Sequence, residues 1–367
     1  MNDLNVGGDP PRPYGGAVDC DVQITVPHRD ALLPYLDEYW RDVSLQRGLQ
    51  TLDTASFPRQ APINARPDWR LAEPASVEDQ LRGLRVNLLD RYGFSAAICN
   101  CLYGVQLLHS EDMGQAIARA LNDWIAREWL DREPRLRASI VVPMQNPSMA
   151  AEEIRRVAAD RRFVQVLMLV MGEMPLGKRY YWPIYEAAED CGLPVGIHAG
   201  SMYRHPVTGT GWPSYYAHDY FSQASAFQTQ LTSLILEGIF GAFPRLRVVL
   251  SETGVSWLPP YLWRLDKYWH GLRSETPWVK VPPSEIVRSR VRLTTQPFDT
   301  PADPAVVERL LDHIGSDEVL LFASDFPHWR FDGDDLLPVG VSPDQIARIS
   351  RANPLATYPR LAEGVAP

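Results

Sequence analysis

Cysteine is scarce, with four residues in a chain of 367. That count excludes a disulfide framework. Cys99 and Cys101 form a C-x-C pair, but both lie inside an apolar, strand-like run. They are expected to pack as small reduced hydrophobes, in keeping with a cytoplasmic protein. No apolar run approaches the ~20 residues of a membrane helix, so a membrane span is not expected. Blocks of Lys and Arg are missing too. With a formal net charge of -9 and a pI of 5.4, a nucleic-acid partner is not expected. No Gly-x-Gly-x-x-Gly follows the first predicted strand, so the chain carries no dinucleotide fingerprint. Residues 1–16, rich in Gly and Pro and without an apolar core, read as a flexible arm rather than a secretory leader.

What the chain does have is alternation. Short apolar runs recur at Ala17–Ile24, Ser95–Leu102, Leu136–Val142, Phe163–Leu169, Pro194–His198, Leu246–Ser251, Arg290–Thr295 and Val319–Ser324. Most are followed by helical spacing, as at Val77–Tyr92, Asp112–Leu130, Met149–Arg161, Tyr181–Cys191, Ala226–Phe240, Leu258–Leu272, Pro304–Ile314 and Pro343–Arg351. Eight strands each followed by a helix describe an α/β chain, a (β/α)8 TIM barrel, which needs roughly 250 residues. The barrel is expected over residues 17–360, with 361–367 as a tail. Two long irregular stretches interrupt the rhythm, 44–76 after the first strand and 199–222 after the fifth. The second carries Tyr203, His205, Trp212, Tyr215, Tyr216, Tyr220 and Phe221. That aromatic load argues against disorder. Tyr203, His205, Trp212 and Tyr216 are candidate residues of a substrate lid, an oligomer contact being the other use of such a surface.

Chemistry in this fold belongs at the C-terminal ends of the strands. There the first strand carries Asp21 and Gln23, two apart and expected to face one side, with Cys20 and Val22 packing outward. The fifth ends at His198, the sixth at Glu252 and the eighth at Asp325, three residues before His328. Each is a weak signal by itself. Together they set several ligating side chains at one rim, where crowded carboxylates call for cations. Asp21, Gln23, His198, Glu252, Asp325 and His328 are therefore the candidate metal ligands, with Glu252 and Asp325 as catalytic candidates. Gln23 has the alternative of hydrogen-bonding a ligand. His109, beyond the second strand, is a candidate ligand, a partner of one, or an ordinary loop residue.

The strand-one Asp19-x-Asp21-x-Gln23, the His198 strand, Glu252-x-Gly254 before Trp257, and Ser324-Asp325-x-Pro327-His328 resemble the amidohydrolase-related metal-dependent barrels. Asn122-Asp123-Trp124 and Pro183-Ile184-Tyr185-Glu186-Ala187 match one branch of that group, which includes zinc hydrolases and non-oxidative decarboxylases. The usual first-strand motif there is His-x-His or Glu-x-His, and Glu252 stands where a histidine is usual. Exchange of imidazole for oxygen donors suits iron or manganese better than zinc. In this the chain is similar to a small family of barrel-fold non-haem di-iron monooxygenases of antibiotic biosynthesis. The resemblance implies two iron ions, O2, an external reductase or ferredoxin, a coenzyme-A-linked substrate and C–H hydroxylation. The alternative is a metal-dependent hydrolase or non-oxidative decarboxylase using zinc or manganese. A non-catalytic binding protein is the third reading. A homodimer is expected on general grounds.

Overall fold

Eight strands hydrogen-bond side by side in chain order, all parallel: β1 (Val18–Gln23), β2 (Ala96–Asn100), β3 (Leu136–Val141), β4 (Phe163–Met171), β5 (Val195–Ser201), β6 (Val248–Ser251), β7 (Val291–Thr294) and β8 (Leu320–Leu321). The last strand returns to the first. Cys20 N donates to Phe322 O at 2.9 Å and Gln23 N to Phe326 O at 2.7 Å. The sheet thus closes into the expected (β/α)8 barrel. This computed structural model describes residues 14–49, 52, 65–66, 68–71, 75–201, 205–328 and 337–362. Among them no helix is long and apolar enough to cross a membrane.

Helices wrap the outside because their apolar stripes have only the strands to bury against. Helix Glu111–Ile125 shows how this fixes a strand end. Ser110 caps it by accepting from Met113 N. Its buried Asn122 holds the backbone of Val141 twice, donating to O at 2.9 Å and accepting from N at 3.0 Å. The same amide donates to buried Glu153, which Arg156 also holds. A polar side chain inside a helix is tolerated here because every bond it needs is supplied.

Three expectations need correction. Helix Ala226–Phe240 starts ten residues earlier, as Tyr216–Leu236, and a separate short helix spans Ile239–Ala242. The expected lid thus ends in two helical turns. The stretch expected to be irregular from residue 44 opens with the last turn of a helix, Glu38–Arg47, capped by Asp37 and ended by Gly48 with φ +64°. And Cys20 does not face outward. The β1–β2 register slips between Asp19 and Val22, and such a bulge turns consecutive residues to one face. Cys20 joins Val18, Ala96, Ile98, Val164, Val249, Leu321 and Tyr358 in a cluster that fills the barrel interior. Cys99 and Cys101 are buried free thiols, as their setting in a strand implied.

Candidate metal centre at the barrel mouth

The bulge that turns Cys20 inward leaves Asp21 inside the mouth as well. Asp21 is fully buried. Its Oδ1 accepts from Asn100 Nδ2 at 2.8 Å, and His198 Nε2 stands 3.2 Å from the same oxygen. The His198 Nδ1 faces Ala199 O at 2.8 Å, which fixes the ring. Two residues along, Gln23 Nε2 donates to Asp325 Oδ1 at 2.7 Å. Gln23 therefore serves as a hydrogen-bond partner of a ligand candidate, the alternative open to it in the sequence.

On the other side, Glu252, Asp325 and His328 converge. One ligand atom from each lies within 4.8 Å of the others, and all three residues are buried. Two of them hold left-handed backbone, Glu252 at φ +62° and Asp325 at φ +57°. Each such residue costs on the order of 1–3 kcal/mol, and such strain collects at functional sites. The surroundings maintain it. Glu252 N is held by Thr294 Oγ1 at 3.1 Å, and Asp325 N donates to Asp21 O at 3.1 Å. Downstream of Glu252, Asp299 accepts from Val255 N, Ser256 N and Ser256 Oγ. Gly254, at φ +77°, fits only because it lacks a Cβ, which would lie 2.6 Å from Asp299 Oδ2. Trp257 Nε1 donates to the carbonyls of Thr253 and Gly254, both at 3.1 Å.

His328 is tied from several directions. Its Nδ1 is 3.5 Å from Asp325 Oδ2, its Nε2 is 2.9 Å from Tyr220 OH, and its backbone bridges to Ala65. Arg66 N donates to Pro327 O at 2.8 Å, and Trp69 packs on Phe326 with ring centroids 4.8 Å apart. Part of the long segment after β1 thus lies against the eighth-strand motif.

Electrostatics mark the same spot. Burial, then the charge of Asp21, pushes the Asp325 carboxyl well above the usual carboxylate range. Burial, then repulsion from His198, pushes His328 down to about 4. Burial raises Asp19 to about 7, although its Oδ1 accepts from Asp21 N and Ser324 N. Asp21 Oδ2, fully buried, stands 3.1 Å from His198 Nε2, so the imidazole lies across both oxygens of the carboxylate. Buried carboxylates packed this closely are poorly stable by themselves, and a divalent cation offsets that cost. The donor set of carboxylates and imidazoles fits such an ion.

The other candidates stand apart. His109 is exposed beside the cap of helix Glu111–Ile125, with no described contact to this group. His205 Nε2 is 2.7 Å from Gly172 O, which latches the loop after β5 to the end of β4. Trp212 is exposed. Tyr216 opens the helix Tyr216–Leu236, and Tyr203 lies outside the described residues. The sequence reading missed Asn100 and Tyr220. Asn100 had a signal, a lone amide at the end of an apolar run; Tyr220 was one aromatic among several.

The family model described as Amidohydrolase matches residues 18–360. The chain belongs to that family. A gamma-resorcylate decarboxylase of Rhodococcus jostii is 28% identical over 272 residues, 67% of this chain and 77% of that protein. An amidohydrolase of Mycobacterium avium subsp. paratuberculosis superposes with a TM-score of 0.70 at 22% identity, covering 94% of this chain and 99% of that one. A dihydroxybenzoic acid decarboxylase of Polaromonas sp. JS666, solved with manganese and the inhibitor 2-nitroresorcinol, gives a TM-score of 0.65 at 19% identity, over 94% and 96% of the two chains.

These relatives overturn the monooxygenase expectation. The gamma-resorcylate decarboxylases that the chain matches are not oxidoreductases. The C–H hydroxylation, O2, the reductase or ferredoxin and the coenzyme-A-linked substrate fall with it. Two iron ions find no support, since the metal named with a relative is manganese. Exchange of imidazole for carboxylate was a real observation, but oxygen donors suit manganese as well as iron.

Proposed function

We propose that this amidohydrolase-family member catalyses metal-dependent, non-oxidative decarboxylation of a small aromatic acid with a hydroxyl beside its carboxylate. The observation that carries the reading is the buried convergence of Glu252, Asp325 and His328 at the barrel mouth. The decarboxylase relatives supply the reaction class and the kind of substrate. In this reading residues 17–360 form one catalytic domain.

Glu252 and His328, with Asp21 and His198 beside them, would hold the cation, manganese being the first choice, and Asp325 stands within reach of it as the acid. When bound, the cation supplies Lewis acidity that orients the carboxylate and hydroxyl of the substrate and offsets the negative charge of the pocket. The rest falls to the chain. Decarboxylation of a ring replaces CO2 by a proton, with no external oxidant or reductant. The ring carbon takes the proton, the bond to the carboxylate breaks, and its electron pair stays with the ring as CO2 leaves. Asp325 is the acid suited to the task, because burial and Asp21 make it keep its proton to higher pH than an exposed carboxylate. Gln23 donates to Oδ1 and so leaves the proton to Oδ2. Buried His328, depressed to about 4, stays neutral, the form in which an imidazole binds a metal.

The test is direct. Purified protein supplied with Mn2+ should release CO2 from 2,6-dihydroxybenzoate or a related hydroxybenzoate, and chelation should stop it. No CO2 from any ortho-hydroxylated benzoate, with manganese, zinc or iron, overturns the reading.

A further inference from the structure

Below the mouth, a line of polar side chains crosses the otherwise apolar barrel. Tyr358 OH donates to Gln165 Oε1 at 2.9 Å. Gln165 Nε2 donates to Ser139 Oγ at 2.9 Å. Ser139 Oγ donates to Asn100 Oδ1 at 2.6 Å, and Asn100 Nδ2 donates to Asp21 Oδ1 at 2.8 Å. All five residues are fully buried. They come from β1, β2, β3, β4 and the C-terminal segment, so the line joins parts of the chain far apart in sequence. Gly196 on β5 makes room for it, since a Cβ there would lie 2.4 Å from the Gln165 amide.

The direction of the line is fixed by its end. A carboxylate can only accept, so Asn100 must present its NH2 to Asp21. Its carbonyl then needs the Ser139 proton. Ser139, having given that proton, must accept from the Gln165 NH2, and the remaining Gln165 oxygen must accept from a donor with no acceptor duty. The phenol of Tyr358 is that donor. A reversal of either amide would set two acceptors or two donors face to face in a buried site.

We infer that Tyr358, Gln165, Ser139 and Asn100 are positioning residues that hold the Asp21 carboxylate by Oδ1 and so set its orientation toward His198 and a cation at the mouth. This rests on the metal-dependent reading of the site. Partners behind a ligand commonly change metal affinity about 10–100-fold when removed. The line extends that influence from Asn100, which touches Asp21, to Tyr358 at its far end. Tyr358→Phe keeps the ring and its packing among Val18, Cys20 and Val249 and removes only the terminal donor.

The experiment measures Mn2+ affinity by titration calorimetry and the electron paramagnetic resonance spectrum of bound Mn2+, on full-length protein. The forms compared are the parent, Tyr358→Phe, Ser139→Ala and Ile98→Val. Ile98 belongs to the same interior layer but not to the line. Both line variants should weaken Mn2+ by about tenfold and alter the spectrum while melting cooperatively, with Ile98→Val unchanged. Parent-like affinity in both line variants overturns the inference. So does equal loss in Ile98→Val, which would make the effect one of packing, or a parent that binds no Mn2+. Decarboxylation is assayed separately. A parent that binds Mn2+ through an intact line but releases no CO2 refutes the proposed reaction and leaves the line standing.

Discussion

Gln23 reaches across the barrel closure to donate from Nε2 to Asp325 Oδ1 at 2.7 Å, which joins the first strand to the eighth-strand motif at the rim. A residue with that role aims the acid. Gln23→Ala should therefore bind Mn2+ as the parent does yet lower kcat, by roughly 10–100-fold given the sensitivity of proton transfer to placement. Metal content by mass spectrometry and steady-state kinetics on the same sample check this. Loss of metal with kcat preserved in the loaded fraction would make Gln23 a ligand instead.

Asp325→Asn removes the acid while keeping its shape. The loss in kcat should be about 10²–10⁴-fold, the usual share of general acid–base catalysis. The parent must hold the Asp325 proton to work, so its kcat should fall as pH rises through the raised Asp325 value. A parent profile flat on its alkaline side, with an active Asp325→Asn, would assign the proton to another group.

Much of this was legible in the sequence. Apolar runs bounded by turns located all eight strands, because a parallel strand buried on both faces has to be apolar. Polar residues at their ends stood out against that background, which is why Asp21, His198, Glu252 and Asp325 could be named. The facing of Cys20 was not legible. Alternation assumes a regular strand, and the slip between Asp19 and Val22 breaks it. The start of helix Tyr216–Leu236 was obscured because aromatics carry no strong helix preference. The pairing of Tyr358 with Gln165 spans 193 positions and leaves no local trace. The reaction class was misread because the same oxygen donors suit two metals with different chemistries.

Asp19 offers a pH test of the metal-free fold. Burial raises it from 3.8 to about 7, so its folded form prefers the proton. The stability it contributes is full below its unfolded value and is lost as pH rises toward 7, by on the order of 4 kcal/mol. Chemical denaturation of chelated protein between pH 4 and 8 should show the parent losing stability relative to Asp19→Asn as pH rises. Parallel curves would mean that Asp19 titrates alike in both states.

Gly254→Ala should disturb the Glu252 corner from behind. The new Cβ meets Asp299 Oδ2 at 2.6 Å on backbone with φ +77°. A cost of about 1–3 kcal/mol is expected, read as a lower Tm, with weaker Mn2+ binding. An unchanged Tm would show that Asp299 moves aside freely.

The central claim is that a proton from the protein replaces CO2 on an aromatic ring with no oxidation. The most direct measurement runs the Mn2+-loaded enzyme on 2,6-dihydroxybenzoate in D2O without oxygen and examines the product by mass spectrometry and NMR. The account predicts resorcinol carrying one deuterium at the carbon that lost its carboxylate, one CO2 for each product and the same rate in air. An oxygen requirement, a hydroxylated product, or no turnover with Mn2+ bound would contradict it.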